Sequence, residues 1–215
     1  MKRHLLLSMI YLRKISFLLI FISVGFNGCI GANQPAIKTT NYTLEYDSPK
    51  FVRLKPLPVV IRVAKFQTVP LYDDKRIIFK TDTYKRDAYH YHKWRTRPGD
   101  LISSFLARDL QKSSLFRVVF AFDSSLPASH IISGTVDEIF EEDKEDAWNA
   151  VLSISITLMR ENEPDINKRI IFQNRYRIKE VCKEKTLSSF AEAMSKAMSL
   201  ISEAIISDTY HALSP

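Results

Sequence analysis

The 215-residue chain is poor in glycine, with five, and in cysteine, with two. Gly25, Gly28 and Gly31 lie in or beside the N-terminal segment, which leaves only Gly99 and Gly134 for the rest. A glycine-rich phosphate loop is thereby excluded from the folded part. Cys29 and Cys182 are too few for a disulfide framework, a four-cysteine zinc site or an iron–sulfur site. No Gly-x-Ser-x-Gly, His-Glu-x-x-His or comparable catalytic pattern occurs. The apolar run Ile15–Phe26 has 12 residues, short for a transmembrane helix. What is present suits a globular domain. Apolar residues at 46% supply a core, and charged residues at 26% argue against wholesale disorder.

The formal charge of +7 and pI near 9.3 invite a nucleic-acid or membrane-surface partner. Much of that excess lies in the leader. Lys2, Arg3, Arg13 and Lys14 precede the apolar run, as in an export signal, and Met9 serves equally well as a start. The run ends in Phe26-Asn27-Gly28-Cys29, which resembles a bacterial lipoprotein signal. The resemblance implies cleavage before Cys29 and acylation of that residue, and hence stable attachment to a bilayer. An ordinary cleaved signal peptide or an uncleaved anchor is the alternative. Ile30, in place of an Asp that would favour the inner membrane, leans towards the outer membrane. The expected organisation is a signal peptide at 1–28, a lipidated tether at 29–41 and a domain at 42–215. Without residues 1–28 the chain has 27 basic and 24 acidic residues, or +3. An exported chain with so small an excess offers no case for nucleic acid.

The remainder predicts one α+β domain of two layers. A mainly antiparallel sheet carries two amphipathic helices, at about 99–113 and 186–212, on one face. Strands are expected at 42–46, 58–66, 76–80, 83–94, 115–122, 130–140, 148–159 and 169–181, from β-branched content and alternation. Pro98-Gly99-Asp100 opens the first helix, and Leu101, Phe105, Leu106 and Leu110 share one face. In the second, Leu187, Ala191, Met194, Met198, Ile201 and Ile205 form a stripe behind the candidate cap Thr186.

Few residues suggest chemistry. His90 and His92 lie two apart on a strand, but no third ligand completes a metal set. Cys182 has no partnered histidine motif and is expected to be a packed thiol. The run 137–146 holds seven carboxylates without calcium-loop spacing, and predicts a solvated hairpin tip. No catalytic, cofactor or metal site is assigned. Residues 75–97 interleave eight basic residues with Tyr84, Tyr89, Tyr91 and Trp94. Tyr89 and Tyr91 are expected on one strand face. Together with Trp94 they form either ordinary sheet packing or an aromatic surface for a protein or lipid partner.

Three stretches carry a family resemblance: Tyr-Thr-Leu-Glu-Tyr at 42–46, Ile-Arg-Val-Ala-Lys-Phe-Gln-Thr-Val-Pro-Leu-Tyr-Asp-Asp-Lys-Arg-Ile-Ile-Phe-Lys at 61–80, and Tyr-His-Tyr-His-Lys-Trp-Arg-Thr-Arg-Pro-Gly-Asp at 89–100. In this order, before a helix, a meander and a terminal helix, they resemble the ABC-type transport auxiliary lipoprotein family. Members of that family accompany MCE-domain lipid transport systems. Arg95 and Thr96 stand where members often carry small or acidic residues after the Trp. The resemblance implies a non-catalytic lipoprotein on the periplasmic face of the envelope. Its implied partners are an MCE-domain protein with its permease and ATPase, the bilayer through Cys29, and further copies of itself. The alternative is an envelope assembly lipoprotein of the lipopolysaccharide-export or penicillin-binding-protein-activator type.

Overall fold

The computed structural model describes Lys38–Pro215, so the leader and Cys29 lie outside the described residues. In chain order the elements are β1 (Thr40–Tyr42), β2 (Leu57–Val63), β3 (Gln67–Thr68), a 3-10 turn (Pro70–Tyr72), β4 (Arg76–Lys80), β5 (Asp87–Trp94), α1 (Pro98–Ser113), β6 (Phe116–Phe120), β7 (His130–Asp143), β8 (Trp148–Arg160), α2 (Ile166–Arg169), β9 (Ile170–Val181) and α3 (Leu187–Leu213). The strands form one sheet, and α1 and α3 lie together on one face of it. The α+β expectation holds.

β7 is the spine. Along one edge it pairs in succession with β2, β3 and β4, all parallel. Along the other it pairs antiparallel with β8, which pairs antiparallel with β9. β6 extends the sheet from β2, β5 from β4, and β1 from β5. Most paired residues are therefore antiparallel, as the strand–turn–strand spacing of 130–181 requires. The parallel pairings leave no such signal, because β2, β3 and β4 are one interrupted stretch laid along a strand that comes 50 or more residues later.

The helices form where the apolar stripes place them. Pro98 occupies the first turn of α1, where its missing N–H costs nothing, and Asp100 there pairs with Lys65 at 2.7 Å. Thr186 caps α3, its hydroxyl accepting from Ser189 N at 3.2 Å. The β8 residues Ala150, Leu152, Ile154, Ile156 and Leu158 all bury against this layer. Across β8, on the other face, small Ser153 and Ser155 let Arg175 and Arg177 of β9 reach Asp137 and Glu138 of β7.

Scarce glycine is used where space demands it. A Cβ at Gly134 would stand 2.6 Å from the Phe66 ring, and one at Gly99 would stand 2.3 Å from the Phe66 carbonyl. Phe66 thus fits between β7 and the start of α1 because both neighbours lack side chains. The left-handed positions go to other residues: Ser114, at φ 55°, closes α1, and Arg53, at φ 64°, bends the segment before β2.

That segment, residues 43–56, has no regular structure and runs along α3. Glu45 N donates to Ser195 Oγ (3.0 Å), and near the other end Tyr210 donates to the Lys55 carbonyl (2.9 Å). Between them lies Asp109 of α1, 0% exposed. Its carboxylate accepts from Tyr46 (2.7 Å), Ser48 (2.6 Å), Ser202 of α3 (2.7 Å) and Arg108 Nε (2.9 Å). The Arg108 guanidinium also lies 4.4 Å from the ring centres of both Tyr46 and Phe105. A buried anion of this kind is tolerated only when its lone pairs are filled. Asp109→Ala orphans four donors at once. It is expected to destabilise the domain by about 3 kcal/mol or more, read by denaturant melting, and to speed proteolytic cleavage within 43–56. A change below about 0.5 kcal/mol would show that the network holds nothing together.

Candidate functional site

The aromatic strand is β5, and the structure divides its three candidates. Trp94 is 1% exposed and packs on Phe190 of α3, ring centres 5.8 Å apart. It is a core residue, which corrects its assignment to a partner surface. The cause is the curl of the sheet: β5 and β1 wrap round to the helix side, carrying the indole under the first turn of α3. Tyr89 is half-buried and packs against Phe79 with its ring tilted, centres 4.6 Å apart. Tyr91 is 45% exposed and neighbours His90 at 6.2 Å. The two tyrosines do not share an environment, because the register is irregular: the step from Arg76 to Ile78 on β4 spans five residues on β5, from Ala88 to Lys93. Of the expected patch, one exposed ring remains. The same irregularity separates the histidines. His92 meets the Tyr42 hydroxyl through Nδ1 (3.2 Å), whereas His90 is exposed.

The acidic run also differs from expectation. β7 continues to Asp143, and the turn proper is at 144–147, closed by Lys144 N donating to the Ala147 carbonyl (3.1 Å). Glu141 is 0% exposed. A bulge at Asp137 explains this. Val136 opposes Ile154 and Glu138 opposes Ser153, so one residue is extra on β7. Before the bulge Ile132, Gly134 and Val136 face the helices. After it Ile139 and Glu141 do, and Phe140 turns to the other face, stacked on Tyr72 (5.7 Å) under Arg86.

Glu141 then sits beside Ala150, the thiol of Cys182 and the Tyr89 hydroxyl, which donates to its carboxylate at 3.0 Å. Burial pushes Glu141 up to about 7, partly offset by the Tyr89 hydrogen bond. Burial also pushes the Cys182 thiol up to about 11, with Glu141 adding to the effect, so it stays protonated and unreactive at neutral pH. The Tyr89 hydroxyl is raised for the same reason. Among the described residues no three metal-ligating side chains converge, and no helix is long and apolar enough to cross a membrane. An open recess of about 500 Å³ lies between the 80–83 and 142–144 segments, lined by Lys80, Asp82, Glu142 and Lys144. Its charges are largely matched: Lys80 and Lys179 both reach Glu142. These groups pack and pair with one another.

Sequence reasoning missed Asp109 and Glu141. Asp109 had a signal: it falls seven residues after Ile102 and three after Leu106, inside the apolar stripe of α1. Ser195, Ser202 and Thr209 likewise form a buried hydroxyl line at spacing seven on α3.

Two outcomes test these assignments. Trp94→Ala is expected to cost about 3–5 kcal/mol, whereas Tyr91→Ala stays within roughly 0.5 kcal/mol, both read by chemical unfolding. For Glu141 the folded-state value lies above its ordinary 4.5, so its contribution to stability is complete below about pH 4.5 and is lost as pH rises through about 7. Between pH 4.5 and 8 the natural chain should lose about 3 kcal/mol more than Glu141→Gln. Parallel pH profiles for the two would contradict this.

Comparison with known proteins follows the same outline. No protein of curated function matches the chain in sequence. A DUF330-family protein of Xanthomonas campestris, 13% identical, superposes with a TM-score of 0.73 over 81% of this chain and 96% of its own. The hypothetical protein CT253 of Chlamydia trachomatis, 10% identical, does so with a TM-score of 0.50 over 73% of this chain and 98% of its own. At these identities the likeness is one of fold. The family model described as the ABC-type transport auxiliary lipoprotein component matches residues 42–206, from the end of β1 almost to the end of α3. That span takes in β2 to β9, the extended 43–56 segment and most of the terminal helix, and the chain belongs to the ABC-type transport auxiliary lipoprotein component family.

Proposed function

We infer that the protein is a lipid-anchored auxiliary subunit of an MCE-type lipid transport system, working on the periplasmic face of the envelope and held at the outer membrane. The carrying observation is the family match over 42–206, joined to the Gly28-Cys29 pair behind an apolar run of signal-peptide length. Acyl chains on Cys29 supply membrane attachment, at about 0.8 kcal/mol per buried methylene. Ten residues, 30–39, separate Cys29 from β1, a reach of about 40 Å when extended. The folded module acts by binding: its buried titratable groups are structural, and the lipid path belongs to the partner.

The test has two arms. Metabolic labelling with a fatty-acid analogue is expected to mark the natural chain and to be lost in Cys29→Ala; label that persists would remove the anchor assignment. The natural chain is expected to co-purify with the MCE-domain protein of its own cell and with the associated permease and ATPase. Stable capture of a murein synthase or a lipopolysaccharide-export protein instead, with no MCE binding, would favour the alternative class.

A further inference from the structure

Among the described residues two carboxylates are wholly buried, and they are provided for unequally. Asp109 accepts from four donors. Glu141 has one, the Tyr89 hydroxyl, which lies 3.0 and 3.2 Å from its two oxygens. Its other neighbours do not suit a charge. β4 contributes Phe79, its register partner, and β8 contributes Ala150. The Cys182 thiol beside it stays protonated, and Asp143, further along β7, repels it. His92 meets the Tyr89 ring edge-on at 5.9 Å, and its Nδ1 is taken up by the Tyr42 hydroxyl. Among the described residues no cation pairs with Glu141: Lys80 and Lys179 reach Glu142, and Lys185 reaches Asp143. A carboxyl so placed is accommodated as the neutral acid, and its charged form gains more from water than from the site.

Glu141 also lies at a weak joint. The β4–β5 hairpin is joined to β7 by two register pairs, Phe79 with Glu141 and Lys80 with Glu142. The hairpin tip, residues 81–85, is exposed throughout. Its root is firm: Trp94 N donates to the Lys75 carbonyl at 2.6 Å, and the Trp94 ring lies on Phe190. Between tip and root the ladder slips, from Arg76 opposite Lys93 to Ile78 opposite Ala88, which supplies a bend at that point. The tip makes one more contact with β7, the Arg86 guanidinium 5.2 Å from the Phe140 ring centre, and it leaves the buried Arg86 Nε without a partner. Both polar groups at the joint are incompletely bonded. Swinging the tip outward hydrates both.

We propose that the protonated Glu141 carboxyl is a latch that holds the 78–90 tip of the β4–β5 hairpin on the end of β7, and that this tip opens by itself, ahead of the rest of the domain, once the proton is lost. The open tip lets Glu141 ionise as an ordinary carboxyl. The closed tip resists ionisation up to about pH 7. Opening therefore becomes about tenfold more frequent per pH unit from about 4.5 to about 7, some 300-fold in all, and then levels off.

Amide hydrogen exchange on the full chain, corrected for the intrinsic pH dependence of exchange, tests this. In the natural chain the 78–90 amides are expected to be less protected than those of β8, and to lose protection by that factor across the range. In Glu141→Gln the same amides are expected to hold constant protection. Tyr89→Phe removes the donor that favours the charged form, so the loss of protection should run on to higher pH before it levels. A hydroxyl with a packing role alone would instead lower protection equally at every pH. The Tyr89→Phe profile carries the test by itself if Glu141→Gln does not fold. Three results overturn the proposal: 78–90 amides as protected as those of β8, which leaves only whole-domain unfolding; equal pH slopes in the natural chain and Glu141→Gln; or a levelling point that Tyr89→Phe does not move.

Discussion

The carboxylate of Asp109 is the point on which the arrangement of the domain turns. A fully buried anion cannot be left without donors, and these donors come from places far apart in sequence: Tyr46 and Ser48, the neighbouring Arg108, and Ser202. Satisfying it fixes three things together. α1 and α3 are set side by side at one register, the extended 43–56 segment is laid along them, and Arg108 is held between Tyr46 and Phe105. An apolar residue at 109 would fill the same space, but it would accept no other residue's proton and so would not select the strap's position. The charge contributes specificity at a desolvation cost that only the complete set of donors offsets.

A second constraint is the extra residue at Asp137. One inserted residue exchanges the two faces of β7 from there onward, so the same strand serves the helix layer with Ile132 and Val136 and then with Ile139 and Glu141. It also sends Phe140 to the far face, where Tyr72 and Arg86 cover it. The far end of the sheet is therefore buried on both sides, and β4, β5 and β1 curl around it. The placement of Glu141 on the helix side, within reach of the Tyr89 hydroxyl, follows from that single residue.

Much of this is legible in the sequence, and the parts that are not share a cause. Helix α1 and strand β4 fall where periodicity and turn residues put them, as do the capped start of α3 and the start of the meander at His130. These are local patterns, and the residues that set them are neighbours in the chain. The parallel laying of β2, β3 and β4 along β7 is not local and leaves no mark in the spacing. Alternation also misleads where the ladder is irregular. Tyr89 and Tyr91 are two apart, which places them on one face only if β5 keeps its register, and it does not. The acidic run 137–146 reads as a solvated tip because charge dominates its composition. Glu141 escapes that reading because the bulge decides its side, and nothing in Val-Asp-Glu-Ile-Phe announces which residue is extra. Asp109 was open to detection as a carboxylate inside an apolar stripe.

The position of β1 bears on how the module carries a load applied through the segment that precedes it. β1 has three residues, and among the described residues its bonds to β5 are the first strand pairing in chain order. A pull directed back along the strand loads those bonds together, in shear, because strand and pull share an axis. Leu44, buried just behind them, and the Glu45 bond to Ser195 resist next, followed by the Asp109 cluster through Tyr46 and Ser48. Successive attachments along one direction suit a module loaded through the segment that precedes β1. The short β1 strand alone would fray, as brief edge strands do. Its hold comes from the buried carboxylate behind it, which ties the strap to both helices before the chain turns into β2.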